Sequence, residues 1–147
     1  MLAGCDFIYG VRRYENLAAL PDLACVQNVV QTAPGVQNVR YTPSDGGRPL
    51  TWSGVQQPTK VYTFIYSGDQ PKIWGDLQLT QDYKGEVVFD QTHLTMNHLP
   101  DPAVVANTRL VMRHIESALA RECGLAQLPG SIKEECTKVE CPPLASP

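Results

Sequence analysis

The chain has 147 residues, 43% of them apolar, the length and hydrophobic content of one domain with a single core. Twelve Lys and Arg against fifteen Asp and Glu leave a net charge of −3, and neither sign gathers into a run. That excludes the basic face nucleic acid needs and the polybasic patch anionic lipid needs, and with no run of about 18 apolar residues no transmembrane helix is expected.

In chain order the first feature is Leu2-Ala3-Gly4-Cys5, followed by Asp6. Small residues before a cysteine suit a peptidase that must admit extended backbone close to its active site. The stretch resembles the lipobox of bacterial lipoprotein precursors, in which a leucine and two small residues precede the cysteine that receives lipid. The resemblance implies that Cys5 is the lipidation site and mature N-terminus. It places the protein on the periplasmic side of a bacterial envelope, with membrane contact through that lipid only. Asp6 resembles the inner-membrane retention signal of enteric lipoproteins, and inner versus outer membrane stays open. With Cys5 set aside, Cys25, Cys123, Cys136 and Cys141 are an even set suited to two disulfides in an oxidising compartment.

Residues 1–20 read as the lipid-attachment segment and a tether, or as a short first element from Phe7 to Leu20. Residues 21–124 read as the folded domain. Pro21 and Asp22 predict a helix start, with Leu23, Cys25, Val26, Val29 and Val30 gathered on or near one face and a stop at Ala33-Pro34-Gly35. The period then shortens. Val36 to Thr42 and Pro49 to Ser53 read as strands flanking a hairpin loop at Asp45-Gly46-Gly47. "TKVYTFIYSG" predicts a central strand, and "KIWGDLQLT" alternates with Ile73, Gly75, Leu77 and Leu79 inward. "GEVVFDQTHL" completes an antiparallel meander. Asp101-Pro102 then opens a long helix whose apolar face runs through Val104, Thr108, Val111, Met112, Ile115, Leu119 and Cys123. Arg109, Arg113, Glu116 and Arg121 are expected in solvent. Residues 125–147 read as a tail around a small Cys136 to Cys141 loop.

This order predicts an α+β two-layer sandwich: an antiparallel sheet of four or five strands with two helices packed on one face. Antiparallel helices would bring the start of the first beside the end of the second, which favours Cys25–Cys123 and Cys136–Cys141 among the three possible pairings.

No catalytic residue is assigned. Ser53-Gly54 and Ser67-Gly68-Asp69 are turn sequences outside any nucleophile elbow. Asp76, Asp82, Glu86 and Asp90 read as acidic positions on a solvated sheet face. His93, Met96 and His98 offer copper-type donors but lack a fourth ligand, so no metal and no cofactor is expected. Trp52, Tyr62, Tyr66 and Trp74, with Tyr83, could form an aromatic binding face on the sheet or serve cross-strand packing. The expected function is a non-catalytic binding or assembly module with a protein partner in the envelope. An inhibitor or immunity protein against a toxin or lytic enzyme is the alternative, ahead of a small metal-binding or hydrolytic protein.

Overall fold

The computed structural model describes residues 7–47 and 59–144. They form an α+β fold in the order β1 (Ile8–Leu17), α1 (Leu23–Thr32), β2 (Asn38–Gly47), β3 (Thr59–Asp69), β4 (Lys72–Gln81), β5 (Val87–Met96), α2 (Pro102–Glu122) and β6 (Lys133–Thr137). The strands pair antiparallel in one sheet, ordered β2-β3-β4-β5-β1-β6, so the sheet has six strands where four or five were expected.

Both helices begin as the sequence predicts. The Asp22 side chain accepts from the Ala24 N–H at 3.2 Å, and that of Asp101 from the Ala103 N–H at 2.8 Å, so each carboxylate satisfies a donor that the first turn leaves unpaired. Pro21 lies just before its cap, whereas Pro102 opens its helix. Val26, Val29 and Val30 from α1 and Val111, Ile115 and Leu119 from α2 pack on the same sheet face. They meet Tyr62, Phe64, Tyr66, Ile73, Leu77, Leu79, Val87 and Phe89 in one core. Gly75 belongs to this face because the Tyr66 ring lies across it: a Cβ there would stand 2.4 Å from Tyr66 Cζ.

Four sequence expectations need correction. Of the two readings of Phe7 to Leu20 the short first element holds and the tether does not: Ile8–Leu17 is β1, wedged between β5 and β6. Its inward positions are Val11, Arg13, Glu15 and Leu17, and the two charged residues hide the apolar alternation that marks a half-buried strand. Residues 125–147 are not only a tail, since β6 pairs with β1 and extends the sheet. The chain does not reverse at Asp45-Gly46-Gly47. Instead β2 continues to Gly47, which stands opposite Thr59 after a register shift beyond Ser44. The strand expected at Pro49 to Ser53 lies outside the described residues. Finally, Arg109 and Glu116 are buried, and they are paired with charges from β1 and β6.

The disulfides are Cys25–Cys123 and Cys136–Cys141, with Cα separations of 5.7 and 6.2 Å. The first ties the start of α1 to the end of α2, as antiparallel helices require.

The pairings give the domain two poles. At one, β1 begins, β5 ends, β3 turns into β4 and α2 begins, and the strand register brings Ile8 opposite Met96. At the other lie Leu17, the β4–β5 turn at Asp82 to Gly85, the ends Gly47 and Thr59, and the Cys25–Cys123 bridge. Ten-residue strands rising about 3.3 Å per residue set the poles roughly 30 Å apart.

Candidate functional site

Among the described residues, Tyr62, Tyr66 and Trp74 do not share one exposed face. Tyr62 and Tyr66 point inward and are core residues, and Trp52 lies outside the described residues. Trp74 is 37% exposed and sits on the face without helices, at the start of β4. The rest of that face is largely polar: Arg40, Thr63, Gln78, Asp90, Arg12 and Glu135 occupy successive strands. Arg12 chelates Asp90 through Nε and Nη2 at 2.9 to 3.1 Å, and Tyr14 donates to Glu135 at 2.9 Å. One solvated face and one helix-covered face is the ordinary arrangement of an antiparallel sheet.

Around Trp74 the pairing of β4 with β5 gives way. The ladder begins only at Asp76 opposite Thr92, and side chains replace it before that. The Trp74 N–H donates to Thr108 Oγ1 of α2 at 3.2 Å, and the Trp74 carbonyl accepts from His93 Nδ1 at 2.7 Å. A carbonyl can only accept, so Nδ1 carries the proton and Nε2 is left as a buried acceptor without a partner among the described residues. Burial lowers the His93 pKa, opposed by the Trp74 carbonyl and the charge of Asp76. Burial likewise raises the pKa of Asp76, opposed by His93 and Arg40. His93 thus holds the Trp74 carbonyl where the β4–β5 ladder is interrupted. His98 lies apart from it, its Nδ1 2.9 Å from the Met96 carbonyl, and the Met96 side chain is exposed. Among the described residues no group of three or more His, Cys, Asp or Glu is arranged to hold a metal ion.

A second polar cluster lies under α2. Arg13 of β1 forms a fork with Glu116 at 2.6 and 3.1 Å, Arg109 reaches Glu134 of β6 at 2.6 Å, and Arg13 stands 3.6 Å from that same Glu134. Arg109 also donates to the Pro142 carbonyl at 2.9 Å, which ties the C-terminal segment to the helix. Beside them Glu15 is 1% exposed. Its pKa is pushed up to about 7 by burial and by the charge of Glu116, against Arg13 and the Gln127 side chain. A carboxyl poised near neutrality suits proton transfer, and this one is packed out of water beside Glu116 of α2. The cluster joins α2 to the sheet edge.

The exposed apolar surface gathers elsewhere, at the pole where β1 begins. Phe7, Ile8, Met96 and Leu99 are each about half exposed or more, and Leu99 reaches 67%. They are held there rather than frayed. The Phe7 N–H donates to Asn97 Oδ1 at 2.9 Å and its carbonyl accepts from the Asn97 N–H at 2.7 Å. Asn97 adopts a left-handed φ of 63°, which asparagine tolerates better than most residues, and Thr95 Oγ1 closes the turn onto the His98 carbonyl at 2.7 Å. Lys138 lays its ammonium 4.1 Å over the Phe7 ring. Beside this patch a groove of about 270 Å³ runs between Leu99, Pro100, Pro102 and Val105 on one side and Lys138 and Val139 on the other. The patch is hidden in the sequence because Phe7 and Ile8 lie in a stretch of mixed pattern and Met96 stands among copper-type donors.

Cys5 lies outside the described residues, two positions before Phe7. No helix among the described residues is long and apolar enough to cross a membrane. No family model, curated protein or solved structure matches this chain.

Proposed function

We propose that the chain is a lipid-anchored protein of the bacterial envelope and acts as a non-catalytic binding or assembly module. The supporting observation is the fate of the cysteines. Of the five, Cys25, Cys123, Cys136 and Cys141 are used in two internal bridges, which leaves Cys5 as the one thiol for lipid. Internal bridges persist in oxidising compartments, and the lipobox-like stretch puts the spare cysteine where lipoproteins of such a compartment carry their anchor. Glu15, Asp76 and His93, whose pKa values are shifted chiefly by burial, lie under α2 and within the sheet. What the domain offers to a partner is surface, and the partner is a protein of the same envelope.

The test is acylation. Expressed behind a lipoprotein signal sequence in a bacterial host, the chain should incorporate labelled fatty acid, and Cys5→Ser should abolish the label. Equal labelling of the two forms would overturn the proposal.

A further inference from the structure

The apolar pole lies next to the proposed anchor in the chain, and this proximity carries an orientation. Two residue steps separate Cys5 from Phe7, and an extended chain covers at most about 7 Å in two steps. The headgroup layer on each side of a bilayer is itself roughly 5 to 7 Å deep. A thioether-linked lipid at Cys5 would therefore hold Phe7 at the level of the headgroups, and the surface around Phe7 would meet the bilayer or be forced to avoid it. That surface is not one that avoids apolar material: it is the patch of Phe7, Ile8, Met96 and Leu99, followed by the groove along Val105 and Val139. Contiguous exposed apolar groups of this kind mark an interaction surface.

We infer that this pole docks on the bilayer, with Phe7, Ile8, Met96 and Leu99 seated in the interfacial layer and the strands standing away from the membrane. The inference rests on the anchoring role proposed for Cys5 and adds to it a second, protein-borne contact. Its chemistry is apolar rather than electrostatic. Lys72 and Lys138 at this pole are outnumbered by Asp69, Asp101 and Glu140, so no basic patch calls for anionic lipid, an uncharged phosphatidylcholine surface suffices and salt should change little. The same orientation turns Gly47, Thr59 and the Cys25–Cys123 bridge outward, where a protein partner could reach them about 30 Å from the membrane. Lys138 stands at this same end, its ammonium 4.1 Å over the Phe7 ring and 5.3 Å over the Tyr9 ring.

The experiment separates docking from acylation. In the oxidised full-length chain Cys5 is the only thiol, so it can be coupled to a maleimide-bearing phospholipid in phosphatidylcholine nanodiscs without any cellular enzyme. The discs also carry a lipid spin-labelled near the top of its acyl chain, and the broadening of backbone amide signals is measured by NMR. Signals of Phe7, Leu99 and Val139 should broaden several-fold more than that of Lys84 at the far pole, equally at low and high salt. In a Met96→Ser, Leu99→Ser variant the tether is unchanged, and the excess at Val139 should fall by half or more while far-pole shifts stay as in the parent. Broadening at Val139 no greater than at Lys84, or the same in parent and variant, would overturn the inference and leave the patch for a protein. Failure of acylation in cells with docking intact on coupled discs would instead count against the lipoprotein proposal alone.

Discussion

Glu15 keeps its proton further toward neutral pH than an ordinary carboxyl because its surroundings disfavour the anion: it is out of water, and Glu116 stands close enough to repel it. Its folded pKa of about 7 lies above the ordinary 4.5, so the folded chain keeps a proton that the unfolded chain has released. Stability therefore falls as pH rises from about 4.5 to about 7 and levels off above that. Glu15→Gln removes this dependence. Urea unfolding should show the variant gaining on the parent by roughly 2 to 3 kcal/mol between pH 5 and pH 8. A constant difference between the two proteins across that range would mean that Glu15 ionises freely in the fold. Tyr66 permits a second check at this scale. Its hydroxyl is buried without a partner among the described residues, and burial raises its pKa. Tyr66→Phe should then cost less than about 1 kcal/mol or stabilise the domain, since an unsatisfied buried group is removed. Gly75→Ala, which drives a methyl into the same ring, should cost about 1 to 3 kcal/mol. The opposite ranking in thermal melts would contradict the inward placement of Tyr66.

Among the elements, those whose two faces differ plainly in polarity were legible in the sequence. The β3–β4–β5 meander, both helix caps and the disulfide pairing follow from apolar alternation, Asp-Pro chemistry and the geometry of antiparallel helices. β1 and β6 were not legible, because Arg13, Glu15 and Glu134 occupy inward positions and imitate solvated sequence. The same confusion placed Arg109 and Glu116 in water. Each charge looks like a surface residue until the strand that pairs it is known. Breaking the Arg13–Glu116 fork with Glu116→Ala should cost about 3 to 5 kcal/mol, since Arg13 keeps only the longer contact to Glu134 and the weaker attraction of Glu15. A double Arg13→Met, Glu116→Leu variant should lose less than the single one in denaturant titrations, because apolar replacements leave no charge uncompensated. The cystines add a comparison between elements. Cys25–Cys123 closes a separation of 98 residues and Cys136–Cys141 one of 5. The chain-entropy model assigns them about 4 to 5 and about 2 kcal/mol. Removing the first bridge with a Cys25→Ser, Cys123→Ser double variant should therefore reproduce most of the loss in melting temperature seen on full reduction.

Across the whole molecule the two poles differ in kind. One gathers exposed apolar side chains beside the start of β1, and the other carries the long-range disulfide and the chain ends on either side of residues 48–58. The candidate site was less legible than the fold. A binding surface is made by residues distant in sequence, here Phe7, Met96 and Leu99, and none of them signals alone. The aromatic residues that did stand out in the sequence, Tyr62 and Tyr66, were spent on the core. The lipobox-like stretch, by contrast, is contiguous, and it makes the central claim of a Cys5 anchor directly measurable. Mass spectrometry of the chain recovered from bacterial membranes should find a mature N-terminus at Cys5 carrying a thioether-linked diacylglyceryl group, with Cys25, Cys123, Cys136 and Cys141 oxidised. An N-terminus elsewhere, or an unmodified Cys5 thiol in the recovered protein, would contradict the anchor.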